Sequence, residues 1–170
     1  MAAAARVFVE HGYAAGTTNR IAEAAGLSVG SLYQYFPNKD AILVGLVRRH
    51  VDQGRAVIER ALAGDVPGDP EGRAALLVDT ALEAHRGDPR LHRVLFEESP
   101  RPPELLAELH ELQGALVEAV AELFGVPRLT AWMMVAATES LVHRFLADRP
   151  CGVVEFRGEL IALLAGFARG

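Results

Sequence analysis

The chain has 170 residues, of which 51% are hydrophobic, enough to bury a core without staples as one compact unit or as a small head on a larger body. A single cysteine, Cys151, excludes an internal disulfide, and no apolar run reaches the roughly 18 residues of a membrane span, so a cytoplasmic protein with no membrane partner is expected. The net charge of −5 on its own argues against a nucleic-acid binder, but it is unevenly spread: residues 1–50 carry five basic against three acidic side chains, or +2, and residues 51–170 carry twelve against nineteen, or −7.

The alanine-rich opening, residues 2–11, reads as a first helix with Ala5, Phe8 and Val9 inward and Gly12 as its stop; it shows no signal-peptide cleavage pattern. Thr17 or Thr18 then caps a second helix, because a hydroxyl oxygen accepts one of the unpaired N–H groups of the first turn. Gly26 ends that helix by taking the left-handed conformation without a Cβ clash, and Leu27 is placed to pack back. Ser28 caps a third, short helix. The spacings of Ile21, Ala22, Ala25, Leu27 and Leu32 bury one side of each helix against the other, which makes a helix-turn-helix unit closed by Pro37 and restarted by Asn38.

The face left over on the third helix is unusual for a solvated one. Val29, Gly30, Ser31, Tyr33, Gln34 and Tyr35 include no acid, two phenols, and a glycine that costs about 1 kcal/mol relative to alanine inside a helix. Close approach of DNA accounts for that composition: a helix entering the major groove by its first turn brings Val29, Gly30 and Ser31 to base edges and Tyr33 and Tyr35 to phosphates. Lys39, the only lysine in the chain, stands in the first turn of the next helix, where the dipole disfavours a cation unless an anion lies against both.

Residues 38–62 read as one long helix through Ile42, Leu43, Leu46, Val47, Val51, Val57, Ile58 and Leu62, ended by Gly64. A turn-rich loop at 65–70 leads to a helix at 71–86 with Leu76, Leu77, Ala81 and Leu82 inward, a break at 87–89, and a shorter helix at 90–98. A proline-rich break at 99–103 opens an amphipathic helix at 104–124, which Gly125 to Pro127 stop. The last two helices, 128–148 and 154–168, have apolar faces too wide for one small body and are expected to pair with the same helices of a second copy in a four-helix seam, giving a homodimer through residues 128–168; the alternative is that both simply complete the core of a single chain. The fold class is therefore all-α, with about nine helices: an amino-terminal three-helix head carrying the helix-turn-helix, and a larger helical body.

Little in the chain points to catalysis. The six histidines form no His-x-x-x-His pair and the lone cysteine rules out Cys-x-x-Cys, so no metal is expected. There is no Gly-x-Ser-x-Gly elbow, phosphate loop or dinucleotide fingerprint, so neither an enzyme nor a cofactor is expected, and Cys151 reads as a bystander thiol.

Residues 12–43 carry a denser pattern: Gly12-Tyr13, Thr17-Thr18, Ile21-Ala22 with Ala25-Gly26 and Ser28, Leu32-Tyr33 with Tyr35-Phe36, and Lys39 with Ile42-Leu43. In this the chain resembles the tetracycline-repressor (TetR) family of bacterial transcription regulators over about its first 45 residues; where many members have a histidine, this chain has Tyr35. The resemblance implies a DNA-binding domain at 1–45, an effector-binding and dimerisation domain at 46–170, and double-stranded DNA and a small molecule as partners. Carried over by position, Thr18 and Asn19 contact the DNA backbone or flanks, Val29, Gly30 and Ser31, behind Ser28, read bases, and Tyr33, Tyr35 and Lys39 hold phosphates. Members often carry a basic segment ahead of the first helix; here that helix follows Met1 directly, so either the segment is absent or the start is truncated. Within the body, His92, Phe96, His110, Phe124, Trp132, Met133, Met134 and His143 have the size, softness or polarity to line a mostly apolar effector cavity, and the lack of gathered cations favours an apolar or amphipathic effector over a phosphorylated one. The expected function is a ligand-responsive repressor released from a palindromic operator. The alternative is a helical small-molecule-binding protein or enzyme that keeps the helix-turn-helix only as a folding unit.

Overall fold

The computed structural model describes residues 1–87, 89–100 and 102–169; Asp88 of the expected break at 87–89 and Arg101 of that at 99–103 lie outside the described residues. Among the described residues the chain forms nine α-helices and no strand. They are α1 (Ala2–Ala15), α2 (Thr18–Ala25), α3 (Val29–Tyr35), α4 (Lys39–Leu62), α5 (Pro70–Ala84), α6 (Pro89–Arg93), α7 (Pro103–Phe124), α8 (Arg128–Asp148) and α9 (Val153–Arg169). A π-helical segment, Val94–Glu98, continues α6.

Two compact units result, one of Met1–Gln53 with Gly87–Pro102 and the other of Gly54–Arg86 with Pro103–Gly170. Compactness thus divides the chain inside α4 and groups the α6 segment with the amino-terminal helices, whereas the functional division expected from sequence falls between residues 45 and 46.

In the first unit α1 packs on α2 and on the segment that runs from α6 through its π turn. The core is Ala3, Ala4, Val7 and Phe8 of α1, Ile21 and Ala22 of α2, Leu32 of α3, Ile42, Leu43, Leu46 and Val47 of α4, and Val94 and Leu95. The inward face of α1 is offset by one or two positions from the expected one, leaving Ala5 and Val9 only half-buried. Gly12 (φ 70, ψ 171) interrupts α1 without ending it, and a further turn runs to Gly16. A Cβ at Gly16 would stand 2.4 Å from Phe8 Cδ1, so the chain can close over that ring only if residue 16 has no side chain.

The second unit stacks α5 on α9 and α7 on α8 around Ala74, Val78, Val117, Val120, Phe124, Met134, Val135, Val142, Leu160 and Leu164. Asp69 caps α5 by accepting the Gly72 N–H at 2.8 Å, with Pro70 as the first helical residue. Arg157 of α9 clasps Asp79 of α5 at the surface with two hydrogen bonds of 2.6 and 2.7 Å. The face of α5 turned fully inward is Ala74 and Val78, small residues that let helices approach, and Leu76, Leu77, Ala81 and Leu82 flank it half-buried.

Candidate nucleic-acid interface

The helix-turn-helix is assembled by local chain chemistry. Thr17, not Thr18, is the cap of α2: its hydroxyl accepts the Arg20 N–H at 3.3 Å. At the other end Gly26 (φ 67, ψ 29) directs its N–H to Glu23 O, and Leu27 directs its own to Ala22 O at 2.9 Å, the paired bonds of a left-handed helix stop. Arg6 of α1 donates to the Ala24 carbonyl at 3.2 Å, placing a guanidinium at the negative end of the α2 dipole. Ser28 then caps α3, its oxygen accepting the Ser31 N–H at 3.0 Å, and Asn38 does the same for α4 through the Ala41 N–H at 2.8 Å.

Two residues expected in the helix-turn-helix core lie outside it. Ala25 is exposed and Leu27 is 45% exposed. Backbone bonds from Gly26 and Leu27 stop α2, so Leu27 need not fold back, and α2 packs instead on α1 and α3 through Ile21, Ala22 and Leu32.

Only Leu32 of α3 is buried, and the rest of the helix is presented outward. Tyr35 is 75% and Tyr33 48% exposed; Gly30 and Gln34 are exposed, and Val29 and Ser31 half-buried. Thr18 is half-buried and Asn19 exposed beside them on α2. The side chains are partly preset: the Ser28 and Ser31 hydroxyls lie 2.8 Å apart, and those of Thr18 and Tyr33 3.3 Å apart. A Cβ built at Gly30 would meet nothing closer than Ser28 Oγ at 3.8 Å, so packing within the chain does not require the glycine.

Lys39 is placed otherwise than the sequence suggests. Its ammonium donates to the Tyr13 carbonyl at 2.8 Å and the Ala14 carbonyl at 3.3 Å, both in the last turn of α1. The cation disfavoured at the start of α4 is thereby held at the negative end of another helix, without any outside anion. Tyr13 completes the joint by donating its phenol to Asp40; burial, then that hydrogen bond and the carboxylate charge, hold the phenol's pKa above its ordinary value.

The candidate effector residues are divided between the two units. In the first, His92 and Phe96 stack with centroids 4.4 Å apart, and His50 stands edge-on at 5.4 Å to His92. In the second, Phe124 and Met134 belong to the buried core, whereas His110, Trp132 and Met133 are exposed. His143 packs against His85 with centroids 4.5 Å apart; burial pushes the His85 pKa down against the opposing pull of its hydrogen bond to the Ala81 carbonyl. Neither the His85 stack nor the Tyr13–Asp40–Lys39 joint has a local sequence signal. Their partners lie dozens of residues apart, and only the tertiary arrangement brings them together.

Comparison with known proteins bears on the whole chain. Residues 1–46 match the model of bacterial regulatory proteins of the tetR family, and residues 69–167 that of a tetracyclin repressor-like C-terminal domain. The HTH-type transcriptional activator FasR of Mycolicibacterium smegmatis is 31% identical over 122 residues, 71% of this chain and 55% of that protein. The HTH-type transcriptional repressor KstR2 of Rhodococcus jostii is 31% identical over 125 residues, 68% of this chain and 60% of that one. The chain thus spans little more than half the length of these two relatives. Among solved structures, the transcriptional regulator FadR of Bacillus subtilis in complex with stearoyl-CoA superposes with a TM-score of 0.74 over 98% of this chain and 96% of that one, at 22% identity, which establishes a shared fold.

Proposed function

The chain belongs to the TetR family of bacterial regulatory proteins, and from that premise we propose that it is a dimeric, ligand-responsive transcription regulator whose α3 reads a palindromic operator. The observation that carries the reading is the outward face of α3: two exposed phenols, the Ser31 hydroxyl and a backbone left bare at Gly30, with no carboxylate among them. Val29, Gly30 and Ser31, behind the cap Ser28, meet base edges; Tyr33, Tyr35 and Asn19 meet the phosphate backbone, with Thr18 set against the Tyr33 hydroxyl beside them. Lys39 serves chiefly to fix α4 against α1 and offers its third N–H to a phosphate.

The second copy docks on α8 and α9. Leu129, Trp132, Met133 and Leu141 of α8 and Val153, Val154 and Leu163 of α9 are exposed apolar side chains, more than a solvated pair of helices normally carries. A two-fold seam buries them and sets two α3 helices at the separation of successive major grooves, about 34–36 Å. Trp132 and Met133 accordingly go to the seam and not to an effector cavity.

The effector is an apolar or amphipathic small molecule bound by the second unit. FadR with stearoyl-CoA supports an amphipathic ligand with a long apolar chain. Binding that favours a spacing unsuited to the operator releases DNA, with α4, which passes from one unit to the other, as the lever. Repression by occupancy is the direct consequence. The site of action is the cytoplasm, where bacterial DNA lies; among the described residues no single helix is long and apolar enough to cross a membrane.

Titration of a labelled duplex at several salt concentrations tests the proposal. Affinity that falls steeply with salt and is weakened by Tyr33→Phe supports it; absence of binding at low salt contradicts it.

A further inference from the structure

Tyr33 on α3 and Thr18 at the start of α2 sit on different helices, yet their hydroxyls lie 3.3 Å apart. A phenol 48% exposed has torsions free to sweep its hydroxyl through solvent, and fixing it for a ligand costs conformational entropy. The Thr18 hydroxyl restricts that freedom in advance. It can do so because the two helices are themselves fixed by the Gly26 stop and the Thr17 and Ser28 caps, and by burial of Ile21, Ala22 and Leu32 beneath them.

Either hydroxyl can donate across this link, and donor strength and exposure select the direction. Each hydroxyl carries one hydrogen, the link between them uses one, and a phosphate offers only acceptors. With Thr18 donating to the phenol oxygen, the Tyr33 hydrogen points outward, and the bond received polarises the bond given. The reverse order would spend the more acidic and more exposed of the two donors inside the protein. We infer that Thr18 is a positioning residue for Tyr33, the two hydroxyls acting as one phosphate-contacting unit spanning both helices. This rests on the DNA-binding reading above and adds to it a coupling between residues of separate helices.

A double-mutant cycle tests the coupling. Binding of the full chain, of Thr18→Val, Tyr33→Phe and the double variant, and of Thr18→Ser is measured on one duplex recovered from a random-sequence pool and on an unrelated duplex of equal length. Tyr33→Phe, which removes a hydrogen bond to an anion, is expected to lose on the order of tenfold or more in affinity per head on both duplexes, and Thr18→Val about fivefold. The slope of affinity against salt stays unchanged, since no charge is removed. The double variant binds no more weakly than Tyr33→Phe alone, and Thr18→Ser, which keeps the hydroxyl, binds like the parent. Losses that multiply in the double variant, or a Thr18→Val protein that binds like the parent, overturn the coupling and leave the DNA-binding reading intact. A parent chain that binds neither duplex overturns the reading itself and the coupling with it. Thr18→Val keeps the branched shape, and an unchanged thermal midpoint certifies its fold; if the midpoint drops, the same cycle with Thr18→Ala decides between the two outcomes.

Discussion

The ammonium of Lys39 lies 4.1 Å from the centroid of the Tyr13 ring while donating to the Tyr13 and Ala14 carbonyls. One side chain thus joins the end of α1 to the start of α4 by two charge-assisted hydrogen bonds and a cation–π contact. Lys39→Met is expected to destabilise the first unit by about 1–2 kcal/mol, discounted for partial exposure. Chemical denaturation followed through the tyrosines of that unit measures the loss. If Lys39 acted only on phosphate, the substitution would leave stability unchanged and lower only DNA affinity.

Gly30 separates stability from function in the opposite sense. Its backbone is not left-handed, and the nearest atom to an added Cβ is 3.8 Å away, so Gly30→Ala fits the fold. Helix propensity alone then predicts a gain of about 0.5–1 kcal/mol in stability. In the DNA complex the same methyl intrudes where the backbone meets base edges, with a loss on the order of 1–3 kcal/mol, comparable to one mismatched base pair. A variant both more stable and undiminished in DNA binding would remove the argument that this position is bare for a partner's sake.

The apolar surface of α8 and α9 predicts the behaviour of a charge placed there. Val154 is 82% exposed in a single chain, so Val154→Glu leaves the folded unit intact. In a two-fold seam the two carboxylates would be desolvated close to each other, costing several kcal/mol. Sedimentation is expected to give twice the chain mass for the parent and the single-chain mass for the variant, with operator affinity lost alongside. Equal masses for both would place the dimer contact elsewhere.

Two half-buried groups of the second unit give its stability a defined pH dependence. Burial lowers the His85 pKa from its ordinary 6.5, so its contribution is complete above that value and is lost as pH falls through the lowered one. Burial raises the Glu139 pKa from its ordinary 4.5, so its contribution is complete below that value and is lost as pH rises through the raised one. Glu139→Gln therefore stabilises at pH 7 and changes little at pH 4, whereas His85→Gln flattens the decline below pH 6.5. Each group binds at most one proton, which limits its slope to about 1.4 kcal/mol per pH unit. Denaturation midpoints across pH 4–8 check both signs.

How far the structure could be read beforehand follows from the range over which each feature is determined. The helix-turn-helix was legible because Thr17, Gly26, Ser28 and Asn38 each act on a backbone group within a few residues. Most helix limits fall within a residue or two of expectation for the same reason. Features that depend on distant chain were not legible: the exposure of Leu27, the carbonyls that take up Lys39, and the division of the effector candidates between two units. The π turn at Val94–Glu98 is a further case, since the spacing of Leu91, Val94 and Leu95 fits an ordinary helix equally well. Arg149 caps α8 with a left-handed backbone (φ 47) that sequence would assign to glycine or asparagine.

Selection of bound duplexes from a random DNA pool, run in parallel on the parent chain and on Ser31→Ala, addresses the central claim without assumptions about effector or regulated genes. The parent is expected to enrich a palindrome whose half-sites lie one helical turn apart, and Ser31→Ala to change base preference at the same position of both half-sites. A pool that remains unenriched, or a recovered site identical for both proteins and lacking two-fold symmetry, would contradict the assignment of α3 as the reading helix of a dimer.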